Sequence, residues 1–163
     1  MFRGSSPDRR CHTRTLLAAT IALSCFAASA HAAGDDVRTV ETEAVFADVA
    51  SGIENAIVNR GFKIDYHGFI GDMLKRTASD VEAGKALYKD AEFFTFCSAV
   101  VSRQVMEADI GDIAYCPYVV FVYEAEANPG TVVVGHRLLP AGGERDQVNV
   151  LLDEIVTSAA EGF

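Results

Sequence analysis

The stretch Tyr118-Val119-Val120-Phe121-Val122-Tyr123 is apolar at every position. Successive side chains of a β-strand point to opposite faces, so a strand with no polar side belongs in the middle of a sheet. Asn128-Pro129-Gly130 follows as a strong turn signal, and Thr131 to His136 returns as a second apolar strand. The pair predicts a hairpin at the centre of the fold. Everything else in the chain has to be arranged around it.

The flanking segments supply the rest. Val37–Val40 reads as an edge strand, and Thr42 is placed to cap a helix whose apolar residues recur at Val45, Phe46, Val49, Ile53, Ala56 and Ile57. Gly61 fits the left-handed stop that ends many helices. Phe62 to His67 alternates, which predicts a half-buried strand with Phe62, Ile64 and Tyr66 on one face and Lys63, Asp65 and His67 on the other. A short helix is expected over Ile70–Ala78, with Ile70, Met73, Leu74 and Thr77 inward, and a polar loop over Asp80–Lys89. Ala91–Cys97 is rich in β-formers. Ser98 is placed to cap the next helix, and Asp109–Asp112 reads as a loop. A last helix carries Val148, Leu151, Leu152, Ile155, Val156 and Ala159 on one stripe from about Glu144 to Ala160. The order β-α-β-(α)-β-α-β-β-α predicts a two-layer α+β domain, with helices on one face of a mainly antiparallel sheet.

The N-terminus is of another kind. Arg3, Arg9, Arg10 and Arg14 precede an apolar run from Thr15 to Ala28, and Ala-x-Ala sites follow at Ala28–Ala30 and Ala30–Ala32. A positive region, a short apolar region and a small-residue site predict a cleaved secretory signal peptide over residues 1–32, with cleavage after Ala32 or after Ala30. The run is shorter than the roughly 20 residues of a membrane span. Arg9-Arg10 lacks the apolar followers of a twin-arginine signal, and Leu23 lies one place late for a lipobox at Cys25. The expected product is residues 33–163, a single domain exported to the periplasm with no membrane span. The full chain carries 14 basic and 23 acidic residues, a net charge of −9; losing four arginines and Asp8 takes it to −12. That balance excludes nucleic acid, which is bound through clustered Lys and Arg.

Glu92-Phe93-Phe94-Thr95-Phe96-Cys97-Ser98-Ala99, Met106-Glu107-Ala108-Asp109, and Cys116-Pro117-Tyr118 running to Tyr123-Glu124 together resemble domain-of-unknown-function family 302. The turn at Pro129-Gly130 and the strand running into His136-Arg137 resemble it too, so the likeness spans roughly Val37 to the end. The resemblance implies a two-layer α+β fold similar to the saddle-shaped sheets of TATA-binding-protein-like domains. It implies no activity, and likeness to a DNA-binding fold carries no functional weight. Many members read Pro-Cys where this chain reads Cys116-Pro117, which sets the cysteine one residue further from Glu124.

Few residues suggest chemistry. Cys97 and Cys116 are the only cysteines after residue 32. They read as a structural disulfide, as two inert packed thiols, or as a redox or ligand-binding pair with Cys97 as nucleophile ahead of a helix. His67 and His136 lack ligand spacing, so no metal is predicted. Arg103, His136 and Arg137 can form a small basic pocket for an anion, or pair with Glu107, Glu124 or Asp109. Glu124 ends the central strand without a partner carboxylate. Phe93, Phe94, Phe96, Tyr118 and Phe121 can line an apolar pocket or pack as core. No Gly-x-Ser-x-Gly, phosphate-cradling loop or His-Glu-x-x-His occurs, so a hydrolase reading has little beneath it; no cofactor is predicted. The sequence reading is a domain that binds a small molecule or partner protein at the strand ends, through Cys97, Arg103, Cys116, Glu124, His136 and Arg137. A thiol-dependent redox or sulfur-metabolism factor using Cys97 is the alternative, and a homodimer through an open sheet edge or face is a third reading.

Overall fold

The computed structural model describes Met1 and residues 36–162. The leader and its cleavage positions lie outside the described residues beyond Met1. The elements run β1 (Val37–Thr42), α1 (Phe46–Val58), β2 (Ile64–Gly68), α2 (Ile70–Thr77), β3 (Tyr88–Phe96), α3 (Ala99–Ala108), a 3₁₀ segment (Ile110–Tyr115), β4 (Tyr118–Ala125), β5 (Val132–Arg137) and α4 (Arg145–Glu161). The five strands form one antiparallel sheet in the order β1-β5-β4-β3-β2. β4, which carries the apolar run Tyr118–Tyr123, is central, and it forms the expected hairpin with β5. Gly130 takes φ +88° in that turn, a conformation open to glycine without strain.

α1 and α4 pack together on one face of the sheet. Val49, Ile53, Ala56 and Ile57 of α1, with Val148, Leu152, Ile155 and Val156 of α4, close over Phe94, Phe96, Tyr118, Val120, Val122 and Val134. α2 lies against β3, beyond the point where β2 stops covering its edge. The architecture is the two-layer α+β domain expected.

Several local expectations are corrected. A bulge between Ile64 and Tyr66 interrupts the β2–β3 register. It reverses the alternation, so Tyr66 opposes Thr95 and stands exposed while His67 opposes Phe94 and stacks on it at 4.0 Å. Thr42 does not cap α1: its hydroxyl accepts from Ala44 N, and the helix starts at Phe46 behind Val45. β3 begins at Tyr88, inside the predicted loop, because Tyr88 and Asp90 still pair with Ala125 and Glu124. Ile110–Tyr115 winds into a 3₁₀ segment whose Asp112, only 5% exposed, receives a forked pair of bonds from Arg145. Ser98 caps α3 as expected, accepting from Val101 N at 3.2 Å.

Candidate functional site

Four of the six predicted site residues stand at one end of the sheet, where β3 and β5 finish and β4 begins. Phe96 opposes Tyr118, which makes the residues just beyond them neighbours. Cys97 and Cys116 lie there at disulfide distance, their Cα atoms 6.3 Å apart. So paired, Cys97 offers no thiolate. Ser102 Oγ lies 3.7 Å from Cys116 Sγ and donates to Tyr118 Oη at 3.0 Å. Burial pushes the Tyr118 phenol above its ordinary pKa. Arg137 is exposed and borders, with Pro117, Tyr118 and Val119, a hollow of only about 50 Å³.

Arg103 and Glu124 do not join this group. Arg103 pairs on the exposed side of α3 with Glu107 at 2.7 Å, one of the pairings anticipated. Glu124 ends β4 six residues past Tyr118, about 20 Å away at 3.3 Å per residue. Its carboxylate accepts from Gly130 N at 2.8 Å and Lys89 Nζ at 2.9 Å. The Gly130 amide, then the Lys89 ammonium, hold its carboxyl below the usual carboxylate range. The same contact raises Lys89. Glu124 therefore closes the hairpin turn and ties β3 to it.

His136 is the buried polar centre of the strand-end region, with 0% exposure. It shares the α4-covered face with Val132 and Val134. Its Nε2 meets Asp153 Oδ1 at 2.7 Å and its Nδ1 meets the Arg137 carbonyl at 3.1 Å. Both nitrogens are occupied, so the ring has no edge left for a ligand or metal. Arg38 opposes His136 across the β1–β5 register and takes the other Asp153 oxygen. Asp153 is thus gripped from both sides.

Asp153 also borders the largest hollow of this end, a groove of about 790 Å³ between the start of β1, the segment after β5 and α4. Leu138, Leu139, Pro140, Ala141 and Val150 make its apolar walls; Asp36, Arg38, Asp146, Asn149 and Asp153 supply the polar groups. Asn149 locks one wall, accepting from Leu139 N at 2.9 Å and donating to Leu139 O at 3.0 Å. Asp146 accepts from Gly142 N at 2.8 Å. Cys97, Cys116 and Arg103 line none of the hollows described here. Among the described residues, no three His, Cys, Asp or Glu side chains gather as a metal site would require.

Sequence reasoning missed Arg38, Asn149 and Asp153. One signal was available: Asn149 and Asp153 stand four apart, each one residue past an inward Val148 or Leu152. Residues four apart are neighbours on a helix surface, so both flank the same side of the apolar stripe. The partner could not be read, because the register placing Arg38 beside His136 is not written locally.

No family model and no curated protein matches this sequence. By structure the chain is similar to an uncharacterized conserved DUF302 protein from Bacillus stearothermophilus, with a TM-score of 0.61 and 10% identity over 80% of this chain and 100% of that one. At that identity the likeness shows the fold alone, and the fold is that of a DUF302-like two-layer α+β domain.

Proposed function

We propose that this chain is an exported binding domain that holds a small molecule with a cationic group in the groove beside Asp153. The observation that carries the reading is the fixed Asp153 carboxylate, gripped by His136 and Arg38 at the edge of an apolar-walled groove. Small-molecule sites are concave, mostly apolar and carry a few preformed polar groups that orient the ligand. Asp36, Asp146 and Asp153 outnumber Arg38 in the lining, so two carboxylates remain beyond the Arg38–Asp153 pair. The net charge of the residues after 32 favours a cation over an anion as well. This keeps the strand-end location of the sequence reading and moves its centre from the cysteines to the β1–α4 side. Export is supported by the leader-like N-terminus and by a cysteine pair at disulfide distance, as suits an oxidising compartment.

Titration of the exported chain with hexylamine, followed by NMR at Asn149, Val150 and Asp153, tests the reading. Hexylamine should shift these signals, hexanoate should not, and Asp153→Asn should weaken binding tenfold or more. Equal response to both ions, or unchanged binding by the variant, rejects it. The thiol-redox alternative is favoured by one observation, the position of Cys97 immediately ahead of α3 and within bonding reach of Cys116. A redox titration giving a potential below about −300 mV would mark the pair as a structural disulfide and remove that alternative.

A further inference from the structure

A second hollow differs from the groove in its chemistry. α2 and the segment after it enclose about 350 Å³ beside β3. Leu74, Val81, Leu87 and several alanines form its walls. Its only charged lining residues are Lys75 and Lys85, and no carboxylate faces it. That is unusual here, because acidic residues after position 32 outnumber basic ones 22 to 10. Lys75 Nζ donates to the Lys89 carbonyl and lies 3.6 Å from Asp90. Lys85 forms no ion pair among the described residues. The mouth is apolar: Val81 is 69% and Leu87 50% exposed.

Leu74, Leu87 and Tyr88 also border a neighbouring space of about 380 Å³, lined on the sheet side by Phe93, Phe121 and Tyr123 and, as its one carboxylate, Glu92. Gly71 sets the spacing between helix and sheet, since a Cβ there would stand 2.8 Å from the Ala91 amide nitrogen. Two neighbouring, largely apolar spaces that share Leu74, Leu87 and Tyr88, with an ammonium free of ion pairs among the described residues at the first and Glu92 in the second, match an amphipathic anion whose charged end stays at the lysines.

We propose that this cleft binds an unbranched aliphatic carboxylate, its head group on Lys85 and Lys75 and its chain passing Leu74 and Tyr88 toward Phe93 and Phe121. The site is separate from the groove beside Asp153, and neither reading depends on the other. The tail supplies most of the affinity, because each buried methylene tightens binding about fourfold at most. The head group supplies orientation, since Lys75 and Lys85 present two ammonium groups and no carboxylate lines that hollow.

Isothermal titration with octanoate, decanoate and decylamine, each below its micellar concentration, tests the proposal. Decanoate should bind more tightly than octanoate, and decylamine at least tenfold more weakly than decanoate. Lys85→Gln should weaken decanoate about tenfold with the circular dichroism unchanged. Leu87→Asp, also at an exposed position, should abolish binding, while Asp153→Asn should leave it untouched. Absence of decanoate binding, decylamine binding as tightly as decanoate, or full retention by Lys85→Gln each overturns the proposal.

Discussion

The two faces of β4 are built from the same kinds of residue and end in different environments. Tyr118, Val120 and Val122 lie under α1 and α4 with 3% exposure or less. Val119, Phe121 and Tyr123, on the opposite face, are half-buried. Among the described residues, α2 reaches this face with Ile70 and Leu74 across the hollow beside Phe93, and the aromatic side chains shield each other. Phe121 and Tyr123 stack at 6.3 Å, Tyr88 meets Tyr123 edge-on at 5.5 Å, and Tyr66 leans on Phe93 at 5.7 Å. Burial still suffices to push the Tyr123 phenol above its ordinary pKa. Gly135 lets the Phe121 ring lie across β5, because a Cβ there would come within 2.8 Å of that ring. An apolar strand face can thus be protected by an overlying layer or by large side chains lying sideways along the sheet.

The sharpest test of this contrast is truncation on the two faces. Phe94→Ala removes a ring that is 1% exposed beneath the helices and should cost about 3–5 kcal/mol in urea unfolding. Phe121→Ala, on the lateral aromatic layer, should cost only about 1–2 kcal/mol, since the ring is already partly wet. Equal losses would mean that something else covers the open face in solution. Light scattering on both variants would then show whether that cover is a second copy of the chain.

A staple common to both faces comes next. The Cys97–Cys116 pair closes a 19-residue separation around α3 and the 3₁₀ segment. Replacing both with Ser should lower stability by about 3 kcal/mol on the loop-entropy account. Because the pair joins the ends of β3 and β4, the loss should add to that of Phe121→Ala without coupling. A double variant that departs from additivity by more than about 0.5 kcal/mol would show that the strand ends and the open face are not independent.

The covered face was largely legible in the sequence and the polar contacts were not. Apolar periodicity in α1 and α4, the two-sided run in β4 and the turn at Gly130 are local patterns, and local patterns carry element type. The strand-end placement of Cys97 and Cys116 followed from them. The bulge near Asp65 was invisible, since Phe62 to His67 alternates cleanly and nothing marks the slipped residue. It put Tyr66 on the open face and sent His67 inward to Glu92 at 2.7 Å. The grip on Asp153 needs the β1–β5 register and the seating of α4 together, and neither is encoded near Asp153 itself.

The smallest effect concerns the one carboxylate on the covered side of β4. Glu124 is held below its ordinary pKa, first by the Gly130 amide and then by Lys89. A depressed folded value means that the unfolded chain takes up the proton first as pH falls. Its contribution to stability is therefore present above the unfolded value, near 4.3, and is lost as pH drops through the folded value. Glu124→Gln should flatten that part of the acid-unfolding curve and leave the neutral-pH core intact. Lys89 reports the same contact from the other side: its raised value means the contribution is full below the ordinary lysine range and fades only as pH rises through the folded value. Lys89→Met should remove the alkaline dependence and only part of the acid one, because the Gly130 amide still holds the carboxylate. An unchanged acid curve for Glu124→Gln would place the acid sensitivity elsewhere.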